Sequence, residues 1–115
     1  MRRGDIWLAD LEPIRGSEAN RRRPVILVSN DAANLQAERL GRGGVTVVPV
    51  TSNTVRVFPF QVLLDAGETG LELDSKAQAE QVRSLDVSRL ERRLGGLPPR
   101  LLWQLDGAIR LHLAL

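Results

Sequence analysis

The 115-residue chain contains no cysteine, one histidine, one lysine and only four aromatic side chains. Because cysteine is absent, disulfide bonds and thiolate–metal sites are excluded, and we expect the protein in the cytoplasm. The single histidine, His112, falls near the end of a predicted helix, where a lone histidine is usually a surface or packing residue. Catalysis by a histidine pair or by a Ser-His-Asp triad is therefore excluded.

Long apolar runs are also absent, although hydrophobic residues make up 43% of the chain. No run approaches the roughly 20 residues that span a bilayer, so we expect no membrane partner. Met1-Arg2-Arg3-Gly4-Asp5 is not followed by an apolar stretch, which argues against a secretory signal. The length suits one compact domain with its own core, which we place at residues 1–115.

The common catalytic motifs are missing as well. The sequence has no G-x-x-x-x-G-K or G-x-G-x-x-G loop that could cradle phosphate, and no H-E-x-x-H metal motif. Scattered carboxylates show no spacing typical of metal ligands, so we expect neither a metal ion nor a cofactor.

Charge is unevenly distributed along the chain, although the formal net charge is only +2. Residues 13–64 carry seven arginines against three acids, whereas residues 65–86 carry six acids against two basic residues. This division suggests a basic face for a polyanion, while the acidic stretch is interpreted as a solvated face.

Apolar patterning predicts a small α+β domain with a strongly bent sheet, a short internal helix and a C-terminal helix. Pro49 lies within a predicted strand, which favours an edge strand or a bulge there. Ser29-Asn30-Asp31 supplies N-cap residues for the internal helix at 32–40, and Pro98-Pro99 begins the C-terminal helix. Strands are predicted at 6–9, 25–28, 45–50 and 60–64, with one or two within 71–82 and a short one around 92–94.

A run of three arginines, Arg21-Arg22-Arg23, ends a long loop at Pro24, immediately before an apolar strand. Guanidinium groups suit phosphate because they are planar, permanently charged and able to donate two parallel hydrogen bonds. Pro24 fixes the backbone at the strand entrance, so Arg23 is held by the strand while the other two arginines lie on the loop. On composition alone, such a run more often forms a solvated face.

Thr51 ends another predicted strand beside a polar loop, where threonine usually serves only turn chemistry. If the two strands are neighbours, however, Arg23 and Thr51 face a common groove and suit metal-free cleavage of an RNA phosphodiester. The ribose 2′-OH is then an internal nucleophile, Arg23 stabilises the dianionic phosphorane and Thr51 donates to a phosphate oxygen. Arg23 could protonate the leaving oxygen, but a guanidinium group does not readily release its proton, so the general base stays unassigned.

Short segments in a characteristic order along the whole chain carry a family resemblance. They are Arg3-Gly4-Asp5-Ile6-Trp7, Asp10-Leu11-Glu12-Pro13, Gly16-Ser17-Glu18, Arg23-Pro24-Val25, Val28-Ser29-Asn30-Asp31 with Asn34, Val48-Pro49-Val50-Thr51-Ser52-Asn53, Asp74-Ser75, Glu80-Gln81-Val82-Arg83 and Leu105-Asp106. Through these segments the chain resembles the MazF/PemK family of toxins from bacterial toxin–antitoxin systems.

The resemblance implies a metal-independent endoribonuclease that cleaves single-stranded RNA at short sequence motifs. It implies an SH3-like barrel of strongly bent antiparallel sheet with a terminal helix, and a homodimer with RNA along its groove. It also implies an antitoxin that lays an acidic, otherwise disordered segment across that groove. Carried over to this sequence, the catalytic pair is Arg23 and Thr51.

The resemblance also places further residues at positions that contact RNA. Where relatives often have small residues before Pro24, this chain has Asn20-Arg21-Arg22, whose arginines we expect to hold RNA and to make binding salt-dependent. Phe58 is the aromatic residue expected near bases, although packing inside the barrel is equally consistent with its position. The full RNA-binding set is Ser17, Glu18, Asn20, Arg21, Arg22, Phe58, Ser75, Glu80 and Gln81.

Two other functions are also consistent with the sequence. One is a CcdB-like toxin, which acts on DNA gyrase through its terminal helix and cuts no RNA. The other is a catalytically silent relative that only binds an antitoxin. The Arg23 and Thr51 pair favours an RNA-cleaving enzyme, because a gyrase poison does not need it.

Overall fold

Seven strands and three helices make up the described part of the chain, residues 1–11 and 22–115 of a computed structural model. Two single 3-10 turns, Ala79–Gln81 and Val87–Arg89, precede and follow the sixth strand. The elements are β1 (Asp5–Asp10), β2 (Arg22–Leu27), α1 (Asp31–Leu40), β3 (Gly44–Thr51), β4 (Gln61–Leu64), α2 (Ala66–Thr69), β5 (Ser75–Gln78), β6 (Arg83–Asp86), β7 (Leu90–Gly96) and α3 (Pro99–Leu113).

All strand pairs are antiparallel, in the order β4-β5-β3-β2-β1-β7, and β6 pairs with β3 beside this path. The predicted α+β class, with an internal helix and a C-terminal helix, is confirmed. Within the described ranges no ladder joins β4 to β7, so the sheet is open and not a closed barrel. The end of α2 packs closely against β7, because a Cβ on Gly95 would lie only 1.9 Å from the Thr69 carbonyl oxygen.

Pro49 lies inside the central strand β3, so the predicted edge strand is wrong. On one side it faces Val25 of β2. On the other side, β6 pairs with β3 as far as Val47 and β5 pairs with it from Val50 onward. The proline therefore occupies the position where the neighbouring strand changes, between the last β6 pair at Val47 and the first β5 pair at Val50. Strand β6 was not predicted, and β7 is longer than predicted.

Two hydrophobic clusters cover the two faces of the sheet. Ile26 and Val48 pack in the cluster that contains Leu105 of α3, whereas Val25 and Val47 pack in the cluster that contains Ala37 of α1. A strand covered on both faces needs apolar residues at every position, which explains the continuous apolar run of β2.

The internal helix ends at Leu40 as predicted and begins at Asp31, one residue before the predicted start. The Asn30 side chain accepts a hydrogen bond from the Ala33 N–H at 2.8 Å, and Gly41 ends the helix with a φ of 67°. Of the helices in the described ranges, none combines the length and apolar character required to cross a membrane.

Candidate functional site

The strands β2 and β3 bring Arg23 and Thr51 together at one end of the sheet. Their ladder ends at the pair of Val25 with Pro49, and Arg23 and Thr51 each lie two residues beyond that pair. Both side chains line the same pocket. Thr51 is also the cross-strand partner of Lys76 on β5. Because side chains alternate along a strand, Gln78 lies on the same face of the sheet as Lys76. This face therefore carries four polar side chains, those of Arg23, Thr51, Lys76 and Gln78.

The two predicted catalytic side chains make different contacts. The Arg23 guanidinium is half-buried and donates from Nη2 to the Gln78 Oε1 at 3.3 Å. Thr51 Oγ1 accepts a hydrogen bond from the Asn53 N–H at 3.2 Å. Because a hydroxyl group both donates and accepts, the Thr51 hydrogen stays available for a ligand.

A surface pocket of about 490 Å³ lies at this end of the sheet and is rich in arginine. It brings together four predicted site residues: Arg22, Arg23, Thr51 and Ser75. Sequence reasoning missed the rest of the lining, which comes from β1, β2, β3 and the residue after it, β7 and the segment before β5. These residues are Leu8, Pro24, Val50, Ser52, Gly70, Leu71, Glu72, Leu73, Arg92, Arg93 and Leu94.

Carboxylates hold two of the arginines around this pocket. The sequence predicts Arg22 on the loop, but it is the first residue of β2, because it pairs with Asp10 of β1. Its Nε lies 3.1 Å from a carboxylate oxygen of Glu91. Arg93 Nη2 lies 3.3 Å from a carboxylate oxygen of Asp5. Of the four arginines that line this pocket, Arg22 and Arg93 form ion pairs and Arg23 is bonded to a neutral amide. The fourth, Arg92, has no carboxylate at ion-pair distance among the described residues.

The segment between β3 and β4 is fixed to the sheet by two buried polar contacts. Lys76, only 8% exposed, donates from Nζ to the Arg56 carbonyl oxygen at 2.6 Å. Gln61 accepts from the Phe58 N–H at 3.1 Å and donates to Glu80 Oε2 at 2.8 Å. Glu80, which is predicted to contact RNA, accepts the hydrogen bond from Gln61 and so supports this segment.

Phe58 lies on the surface, outside both hydrophobic clusters. Its ring is 39% exposed and stacks on Phe60 with the ring centroids 5.4 Å apart. The Arg56 guanidinium carbon lies 5.6 Å from the centre of the Phe58 ring. The two phenylalanines and this arginine form a small stack beside the fixed segment.

The remaining predicted site residues are distributed as follows. Ser75 is buried and donates to the Leu73 carbonyl oxygen at 2.9 Å, whereas Gln81 is exposed on the 3-10 turn after β5. In residues 1–11 and 22–115 no group of three or more His, Asp or Glu side chains is placed to hold a metal ion. Ser17, Glu18, Asn20 and Arg21 lie outside the described residues.

Fold and site together define a small α+β protein with an arginine-lined pocket at the end of its central strands. The chain belongs to the PemK-like, MazF-like toxins of type II toxin–antitoxin systems, because the sequence profile of that family matches residues 2–113. It is 61% identical to endoribonuclease MazF9 of Mycobacterium tuberculosis over 115 residues, which cover 100% of this chain and 98% of that protein.

Two further comparisons agree with this assignment. The chain is 34% identical to endoribonuclease MazF of Staphylococcus saprophyticus over 116 residues, which cover 100% of this chain and 92% of that protein. A crystal structure of MazE–MazF from Deinococcus radiodurans matches with a TM-score of 0.70 at 26% identity, over 99% of this chain and 95% of that one. The family resemblance found in the sequence is confirmed.

Proposed function

We propose that this chain is an endoribonuclease toxin, a single domain over residues 1–115 that cleaves single-stranded RNA at short sequence motifs. Relatives that match it along its whole length are named endoribonuclease MazF. The observation that carries the proposal is that Arg23 and Thr51, just beyond the last β2–β3 pair, line one pocket rich in arginine. A guanidinium and a hydroxyl at one point can hold a phosphodiester group by charge and by hydrogen bonds.

The reaction needs no metal ion, because the RNA carries its own nucleophile. The 2′-oxygen attacks the adjacent phosphorus and loses its proton, while the bond to the 5′-oxygen breaks and that oxygen gains a proton. Arg23 stabilises the negative charge that develops on the phosphorane, and Thr51 donates its hydroxyl hydrogen to a phosphate oxygen. We leave the general base unassigned, because arginine keeps its proton at ordinary pH.

The RNA strand is proposed to run from this pair over the surrounding polar surface. Arg22 and Ser75 lie at the pocket, and the stack of Phe58 and Phe60 offers an aromatic surface on the segment that is bonded to Lys76, the cross-strand partner of Thr51. We therefore retain the RNA-binding set from the sequence as a proposal. Its members are Ser17, Glu18, Asn20, Arg21, Arg22, Phe58, Ser75, Glu80 and Gln81.

As partners we propose a second copy of the chain and an antitoxin with an acidic, disordered segment, all in the cytoplasm. The family's place in toxin–antitoxin systems supports the antitoxin, and an acidic segment suits a pocket lined with arginine. Apolar side chains exposed on and just after α3 support self-association, among them Trp103 at 77%, Leu111 at 58% and Leu115 at 84%. Light scattering on the purified protein should give the mass of a dimer.

Cleavage of a long single-stranded RNA, read by primer extension in excess EDTA, tests the proposed activity. We expect discrete cleavage sites that disappear when the scissile nucleotide carries a 2′-deoxy sugar. The Arg23→Ala and Thr51→Ala variants should each lose roughly 100- to 1,000-fold in rate, as when one donor to a developing anion is removed. Cleavage that persists at the deoxy position, or full activity in both variants, would reject the mechanism.

A further inference from the structure

The arginines around the pocket differ in the chemistry of their partners. Arg22 faces Glu91 at 3.1 Å and Arg93 faces Asp5 at 3.3 Å, so a carboxylate offsets the charge of each. Arg23 donates instead to the side-chain amide oxygen of Gln78, also at 3.3 Å. An amide oxygen fixes a guanidinium by a hydrogen bond and leaves its full positive charge uncompensated.

Strand register explains how a residue 55 positions away reaches Arg23. Val50 pairs with Ala77, so the next position brings Gln78 opposite Pro49. Pro49 in turn faces Val25 on β2, two residues after Arg23. Arg23 and Gln78 therefore approach each other across β3, on the face that also carries Thr51.

We propose that Gln78 is a positioning residue that orients the Arg23 guanidinium towards the substrate phosphate without neutralising it. The proposal rests on the proposed endoribonuclease function and adds a residue to that same site. A carboxylate at this position would bind Arg23 more strongly and compete with the phosphate for it. A side chain without an acceptor would leave the guanidinium free to rotate away from its working geometry.

Two substitutions of Gln78 distinguish its effect on the orientation of the Arg23 guanidinium from its effect on the charge of the site. Gln78→Met keeps the length of the side chain and removes the acceptor, whereas Gln78→Glu keeps the acceptor and adds a negative charge. Gln36→Glu is the matched control, because Gln36 is exposed on α1 and takes the same change in net charge. Thermal unfolding of each variant shows whether the fold is preserved.

The measurements are single-turnover cleavage and the Kd for an RNA that carries a 2′-deoxy sugar at the cleavage site. Gln78→Met should lower the cleavage rate about 10- to 100-fold while Kd changes little, because orientation matters most in the transition state. Gln78→Glu should weaken binding and reduce the slope of log Kd against log salt by about 0.7, the loss of one phosphate contact on a single strand. Gln36→Glu should match the wild type in both measurements.

A double-mutant cycle shows whether Gln78 acts through Arg23. In an Arg23→Ala background, neither substitution at Gln78 should change Kd or its salt slope. Equal effects with and without Arg23, or wild-type rates in both Gln78 variants, would overturn the inference. Absence of RNA cleavage by the wild type would reject the proposed function instead. The Kd cycle would then still decide whether Gln78 controls the binding of RNA by Arg23.

Discussion

The two ends of the strand pair β2 and β3 use polar side chains in opposite ways. At one end, which we call the closed end, Ser29, Asn34 and Thr46 form a complete network. Asn34 is fully buried, donates to the Ser29 carbonyl oxygen at 2.9 Å and accepts from the Ser29 hydroxyl. The Thr46 N–H donates to the same hydroxyl at 3.0 Å. Each of these groups is satisfied inside the protein.

At the other end, which we call the open end, Arg23, Thr51 and Gln78 have hydrogen-bonding capacity left over. Thr51 uses its oxygen as an acceptor and keeps its hydrogen, and Arg23 has one contact with a neutral amide. We infer that stability and the proposed RNA binding are divided between opposite ends of the same two strands. Variants at the closed end should therefore change unfolding, and variants at the open end should change activity.

The largest effect on stability is expected at Asn34. Asn34→Ala removes both contacts with Ser29 and leaves a buried cavity, so the free energy of unfolding should fall by about 2–4 kcal/mol. Urea denaturation measures this change, and cleavage by the folded fraction should stay within a few-fold of the wild type. A loss below about 0.5 kcal/mol would show that the network does not stabilise the fold.

A smaller loss is expected at Arg3, which links the closed end to α3. Its Nε donates to the Val28 carbonyl oxygen at 2.8 Å and its Nη2 lies 2.7 Å from a carboxylate oxygen of Asp106. The two side chains are 31% and 37% exposed, so Arg3→Met should cost only about 1 kcal/mol. A cycle with Asp106→Asn isolates the pair, and full additivity of the two losses would show that the ion pair contributes nothing.

The contribution of the closed end to the free energy of unfolding should also depend weakly on pH in the acid range. Asp86 accepts hydrogen bonds from the Ser88 hydroxyl, the Ser88 N–H and the Gly43 N–H, and these bonds hold the pKa of its carboxyl below the ordinary value of 3.8. Its stabilising contribution is therefore complete above that value and is lost as the pH falls through the lowered pKa. Asp86→Asn should flatten the acid limb of unfolding below about pH 4, and an unchanged limb would contradict this.

The sequence was enough to predict those features of the fold and of the candidate site that depend on residues close together in the chain. Pro24 after Arg23, the cap at Asn30 and the polar end of β3 at Thr51 each depend on neighbours in the chain. Strand adjacency was only a condition in that reasoning, and the β2–β3 ladder satisfies it. The family segments added the order in which these pieces occur.

The contacts that the sequence did not predict depend on the register between strands that are distant in the chain. Gln78 meets Arg23 only because β5 pairs with β3 from Val50 onward, after a change of partner at Pro49. A proline in an apolar run gives no sign of such a change, and the sequence alone favours an edge strand or a bulge there. In the sequence Lys76 looks like any surface lysine. Its burial goes together with a hydrogen bond to the carbonyl oxygen of Arg56, which is distant in the chain.

The smallest effect on stability, with a large effect on rate, is expected at Thr51. Thr51→Val keeps the shape of the side chain and removes the hydroxyl, whose contact with Asn53 is local and partly exposed. The free energy of unfolding should therefore change by no more than about 0.5 kcal/mol, while the cleavage rate falls about 100- to 1,000-fold. Thr51→Ser restores the hydroxyl and should recover most of the rate. If valine destabilised the protein as much as alanine does at Asn34, the open end would be structural and the division between the two ends would fail.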